Sequence, residues 1–383
     1  NFKMNSHIKA TIICFFLLLP AISFAQTDDI ERYIELGIKN NSEIETYRLN
    51  IEREEAGIKK SLNIPKPQLF LEYEGVKGGL ENFESRKIGI SQDFEFPSTY
   101  FLRSDVQSVQ IEIAKAELQS KINSVTAGIK RAYYSAALNN FLLRLAKENL
   151  KIADEFLLTA ERKLDAGFVT SLDVLNAKVN KTRAENELKN IENELRKSSS
   201  ELKLLVNAEI NDVKIESDSI ISFNEIKFDE LVSSAMQNNP EIVLSRLKKE
   251  KAENNISLAK SLLLPNFSLK YYNQKLGGES GYYGFEVGLG IPLWFWAENS
   301  GTISEANIDK RISQTEEDFV SRKIKTEVKS AFDDYINSKR QMEFINTDVL
   351  NEARQILDAT KRSYEEGTAS YTDFLQALKT FTE

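Results

Sequence analysis

One pattern is written twice in this chain, 200 residues apart. Arg162-Lys-Leu-Asp-Ala-Gly167-Phe-Val-Thr170-Ser-Leu-Asp173-Val-Leu175-Asn-Ala177 returns as Arg362-Ser-Tyr364-Glu-Glu-Gly367-Thr-Ala-Ser370-Tyr-Thr-Asp373-Phe-Leu375-Gln-Ala377. Any fold of this chain must hold two equivalent helix hairpins. In each copy a helix stops at Gly167 or Gly367, the residue type that takes a left-handed position without a Cβ clash. Three residues on, Thr170 or Ser370 stands where an N-cap is needed, with Asp173 or Asp373 at the third helical position. That is the spacing of a capping box, and the carboxylate also meets the positive end of the new helix dipole.

The duplication reaches well beyond the turns. Asn40-Asn41-Ser42-Glu43-Ile44 matches Asn238-Asn239-Pro240-Glu241-Ile242, the segment from Pro67 to Tyr73 matches that from Pro265 to Tyr271, and Gly78-Gly79 matches Gly277-Gly278. Units of this length exceed any solenoid repeat, so the chain reads as a duplicated half-protein. Each half predicts a helix (28–62 and 228–263), then two strands (67–76 and 86–96; 266–274 and 282–291). A very long helix follows (98–166 and 298–366), then the glycine turn and a returning helix. The expected organisation is a leader over 1–25, a first repeat over 26–207, a polar linker over 208–227 and a second repeat over 228–383. The first returning helix is expected over 171–207, whereas only 13 residues follow Ser370. The repeat therefore predicts about 25 further residues after Glu383.

Residues 1–25 have the build of a secretory signal peptide: Lys3 and Lys9 flank Met4, an apolar run follows, and Ser23-Phe24-Ala25 precedes Gln26. No Cys follows that point, so no lipid is expected there. With the leader go His7 and Cys14, the chain's single His and single Cys. The remaining chain then has no disulfide, no thiol nucleophile and no imidazole base or ligand. Losing Lys3 and Lys9 takes 50 basic residues to 48 against 58 acidic ones, a net charge of −10 that argues against nucleic acid as a partner. Met236 and Met342 are the sulfur ligands left, too few for a soft-metal site. No nucleophile–base pair or phosphate-binding glycine loop is present, so no catalytic, cofactor-binding or metal residues are expected.

The strand segments alternate. Ile88, Ile90, Phe94 and Phe96 oppose Lys87, Gly89, Ser91, Asp93 and Glu95; Phe267, Leu269 and Tyr271 oppose Ser268, Lys270 and Tyr272; Tyr283, Phe285, Val287 and Leu289 oppose Gly284, Glu286 and Gly288. The first strand is the least regular, with Phe70 on its polar side. Period-two segments of about ten residues suit either a half-buried soluble sheet or a transmembrane barrel strand; nothing else in the sequence reads as a layer to cover the apolar face, which favours the barrel. Aromatics gather at their inner ends, Phe94 and Phe96 in one half and Trp294-Phe295-Trp296 in the other, as an interfacial girdle requires. Four strands cannot close a barrel, and an open edge cannot sit in lipid. Three copies would supply twelve strands, so spanning strands ask for a homotrimer. The long helices carry apolar residues at three- and four-residue spacing, such as Ala146, Leu150, Ala153, Leu157, Ala160 and Leu164, the seam of a coiled coil. The fold class is mainly α with a small β part.

This plan, with its paired glycine–hydroxyl–aspartate turns, resembles the TolC family of outer-membrane efflux proteins over about residues 28–383. The resemblance implies a trimeric exit duct of a tripartite efflux system, with a twelve-stranded outer-membrane barrel continued by a helical tunnel through the periplasm. Its implied partners are a periplasmic adaptor protein and an inner-membrane pump of the resistance-nodulation-division type. The turns would form the periplasmic tip and gate: Gly167, Thr170, Asp173, Tyr364, Gly367, Ser370, Asp373 and Gln376. Asp173, Tyr364 and Asp373 match residues that close or line the entrance. Gln376 stands where the family's best-known member has a second acid, and Ala369 where it has an arginine, so a lock built on that arginine has no counterpart here. The segments Gln92–Pro97 and Ile291–Trp296 are similar to the heavy-metal branch of the family, the CzcC/CusC type. The competing readings are a periplasmic adaptor with a coiled-coil hairpin and the outer-membrane duct of a type I protein secretion system.

Overall fold

The computed structural model describes residues 29–79, 83–209, 226–293, 298–346 and 349–382. In chain order these form α1 (Asp29–Asn40), α2 (Ser42–Ser61), β1 (Gln68–Glu74), β2 (Ser85–Phe94), α3 (Pro97–Asp165), α4 (Ser171–Val206), α5 (Phe228–Asn238), α6 (Pro240–Ser261), β3 (Asn266–Leu276), β4 (Glu279–Gly290), α7 (Glu298–Asn346), α8 (Val349–Glu365) and α9 (Tyr371–Thr382). The expected leader and nearly all of the expected linker lie outside the described residues, as do 347–348 within the expected second long helix. The described residues fall into two compact units, 29–41 with 124–209 and 42–123 with 226–382.

The first unit packs α1 with α4 and the C-terminal part of α3. Ile34, Ile129, Ala132, Ala136, Leu202 and Val206 are buried in it. A Cβ on Gly37 would fall on Ile129, so this glycine lets the helices approach closely. Asn41 Nδ2 donates to Leu205 O at 3.0 Å and Asn207 Nδ2 to Asn40 O at 3.2 Å, satisfying carbonyls at two helix ends.

In the second unit, α5 and α6 lie along α7. Ile242, Ala252, Ala259 and Ile324 are buried, and Lys249–Glu317 and Lys323–Glu241 pair at 2.8 Å each. In the first half's counterpart, Lys121 of α3 pairs with Glu43 of α2. Two single helices expected before the strands are each broken, at Asn41 and at Asn239. Asn239 is the N-cap of α6, its side chain accepting from Glu241 N at 2.8 Å, and Pro240 follows with no N–H to continue the ladder.

The four strands form one antiparallel sheet in the order β1-β2-β3-β4, so strands from the two halves meet at β2–β3, Phe94 opposite Phe267 and Ser85 opposite Leu276. β3 and β4 run longer than expected, joined by Gly277-Gly278 at φ +56° and +91° in a two-residue turn that only glycine enters freely.

Candidate functional site

Both glycine turns fold as their sequences dictate. Gly167 has φ +77° and Gly367 φ +80°. Gly167 N–H donates to Leu164 O at 2.9 Å and Phe168 N–H to Lys163 O at 2.8 Å; Gly367 N–H donates to Tyr364 O at 3.1 Å and Thr368 N–H to Ser363 O at 2.9 Å. Both ends are thus Schellman closures. The next helix then starts on a reciprocal cap. Asp173 Oδ2 accepts from Thr170 N–H at 2.9 Å and from its hydroxyl at 2.8 Å, while Thr170 Oγ1 accepts from Asp173 N–H at 3.4 Å. In the second turn Asp373 Oδ2 accepts from Ser370 N–H at 2.9 Å and from its hydroxyl at 2.6 Å, and Ser370 Oγ accepts from Asp373 N–H at 3.2 Å. The Ser370 hydroxyl, then its amide, hold the Asp373 carboxyl below the usual carboxylate range.

The caps are alike, but their surroundings are not. Ala160, Val174 and Ala177 form the small buried core of the first hairpin, with Phe156, Leu157 and Leu164 against it. Outside that seam the first tip exposes Phe168 at 81 %, Leu172 at 62 % and Leu175 at 58 %. The second tip turns Tyr371, Phe374 and Ala377 inward and presents Thr372, Asp373 and Gln376. Tyr364, expected at the entrance, is 5 % exposed, its ring 6.3 Å from that of Phe374. Within one chain it packs the α8–α9 hairpin. The exposed leucines of the first tip went unnoticed in the sequence, although their three-residue spacing beside Val174 was the signal.

The sheet has two chemically different faces. On one, Leu69, Leu71, Ile88, Ile90, Leu269, Tyr271, Phe285, Val287 and Leu289 come together through the register and are largely open to the surroundings. The other carries ion pairs: Lys87 Nζ lies 2.7 Å from Glu74 and 3.4 Å from Glu72, and Lys270 Nζ lies 2.9 Å from Glu286. Tyr272 lies across Gly284 on this face, where a Cβ on Gly284 would enter its ring. Phe70, the exception in the alternation, meets Tyr272 edge-on at 6.3 Å, and Lys87 Nζ stands 5.8 Å from the same ring. Among the expected girdle aromatics, Phe96 stacks on Phe267 at 6.0 Å and Phe94 is half-buried at the end of β2. Trp294, Phe295 and Trp296 lie outside the described residues. No described helix is long and apolar enough to cross a membrane.

A mainly helical chain with one four-stranded antiparallel sheet has counterparts among known proteins. The family model "Outer membrane efflux protein" matches residues 36–208 and 231–383. The chain is 20 % identical to the cobalt-zinc-cadmium resistance protein CzcC of Cupriavidus metallidurans over 353 residues, covering 92 % of this chain and 83 % of that one. A membrane protein from Pseudomonas aeruginosa superposes with a TM-score of 0.77 at 17 % identity, covering 92 % of this chain and 84 % of that one. CusC superposes with a TM-score of 0.71 at 18 % identity, covering 93 % and 86 %. The expected mainly helical fold with four antiparallel strands is therefore the one observed, and the protein works as a non-enzymatic channel in the outer membrane, with its helical part in the periplasm. The chain belongs to the outer membrane efflux protein family, the TolC-type exit channels of tripartite efflux systems.

Proposed function

We propose that three copies of this chain close one twelve-stranded barrel, and that the duct so formed discharges divalent transition-metal cations. The observation that carries the trimer is the sheet itself: among the described residues β1 and β4 each pair on one side only, while an exposed apolar face lies between them. Such edges are tolerated in lipid only when closed by further strands. Measuring the mass of the intact oligomer by native mass spectrometry in mild detergent tests this; monomers alone would end the reading.

The cargo reading rests on the likeness to CzcC, whose name assigns it cobalt, zinc and cadmium resistance. A passive duct needs no resident metal ligand, so the scarcity of sulfur and the lack of imidazole in the processed chain are compatible with it. We read a resistance-nodulation-division pump and a periplasmic adaptor as its partners. The chain is read as two repeats, 26–207 and 228–383, behind a leader. Gly167, Thr170, Asp173, Tyr364, Gly367, Ser370, Asp373 and Gln376 form its periplasmic tip, with Asp373 facing the lumen. Phe94, Phe96, Trp294, Phe295 and Trp296 mark the membrane interface at the inner, periplasmic ends of the strands. Deleting the gene should sensitise cells to cobalt, zinc and cadmium salts, and restoring it should reverse this. Sensitisation to organic drugs alone would redirect the cargo to them.

A further inference from the structure

We propose that the junction between the sheet and the helices carries a groove for one phospholipid acyl chain per protomer. The proposal rests on the outer-membrane barrel reading. The groove has a volume of 530 Å³ and is open along one side. Its upper wall is the apolar sheet face, Phe267, Leu269 and Val287; its lower wall is Leu62 and Ile64, just after α2, with Phe101 in the first turn of α3. Glu95 is the charged residue of the lining, and Arg103 engages it through two bonds, at 3.0 and 2.7 Å. The remaining lining offers hydrocarbon and aromatic surface, so the occupant is a hydrocarbon chain. The volume lies within the range of built ligand pockets.

Three observations select a lipid over a protein. The groove continues the face that a barrel turns to the bilayer, so an acyl chain enters it without leaving hydrocarbon. β1 and β4 are the edges of the sheet, so on the barrel reading a second copy would join in the plane of the sheet and leave that face open. The groove also lies where the strands run into the helices, at Phe94 and Pro97, which places it at the periplasmic leaflet, the phospholipid side of an outer membrane. Exposed Leu62, Ile64 and Phe101 (55, 57 and 72 %) would otherwise leave apolar surface against water and headgroups.

The test is native mass spectrometry of the full-length protein released from nanodiscs of one synthetic phosphatidylethanolamine, under stepwise activation. One lipid per protomer should remain after the bulk lipid has been stripped. Phe101→Ala and Ile64→Glu should each lower that retention at least threefold, and Leu71→Ala, on the same face but outside the groove, should not. A wild-type oligomer that holds no more lipid than Phe101→Ala overturns the proposal, as does a retained peptide in place of lipid. A wild-type oligomer stripped of every lipid under these conditions overturns it by itself, so a variant that fails to fold does not rescue it. An intact trimer without lipid removes the groove and leaves the trimer standing; a lipid-bearing monomer does the reverse.

Discussion

Thr170 and Ser370 do two jobs with one hydroxyl: each donates to a carboxylate and accepts from that residue's N–H. Ser370→Ala should cost about 1 kcal/mol of local helix stability, read as faster amide exchange in α9. It should also let Asp373 titrate nearer its ordinary range. A carboxyl held low in the folded state adds stability that is present above its unfolded pKa and lost as pH falls through the folded one. The gap between wild type and Ser370→Ala should therefore be full at neutral pH and narrow once the pH drops below the usual carboxylate range; a gap that widens on acidification would contradict this cause. The glycines divide into two kinds. Gly367→Ala meets nothing within 4 Å and pays only for its left-handed backbone, about 1–2 kcal/mol. Gly284→Ala would meet the Tyr272 ring, so it should shift the near-ultraviolet tyrosine signal, which Gly367→Ala should leave unchanged. These turns were legible from the sequence because glycine, hydroxyl and carboxylate act within six residues of one another. The packing of Tyr364 within its own hairpin was not, because whether an aromatic beside a turn faces in or out depends on Phe374 across the hairpin.

Strand assignment rested on alternation, which survives even Phe70, since the ring packs on Tyr272 rather than changing face. Asn-Asn by itself reads as ordinary polar helix surface, so it does not mark a helix break until the cap geometry is seen. In the second half Pro240 announced the break; in the first, Ser42 stands in its place and gives no such signal. Phe285, near the middle of β4 on the apolar face, gives the sharpest test of which face meets lipid. Phe285→Arg should weaken assembly by about 2–4 kcal/mol, whereas Glu286→Gln, which only breaks the pair with Lys270, should assemble normally and alter ion conductance. Equal assembly defects in both would mean that the sheet does not lie in a bilayer.

The β2–β3 pairing joins segments about 180 residues apart and is not written in any local pattern; duplication predicted two hairpins but not which edges meet. The β4–β1 contact between copies that the proposed trimer requires can be tested directly, because Cys14 is the chain's single cysteine and lies in the expected leader. Paired cysteines placed one in β1 and one in β4 should give covalent dimers and trimers on oxidation, and either cysteine alone should not. The two tips share a backbone and a cap yet differ in surface, one apolar with Phe168 and Leu172, the other polar with Thr372 and Gln376. In a ring of three such chains the six turns form two heritable sets. A mutation in one codon alters three of the six turns and spares the other three. A ring of six identical half-length chains would have no such freedom, since every change would strike all six at once. Duplication followed by divergence thus lets one set of turns evolve toward contact with a neighbour while the other is selected for the passage of cargo.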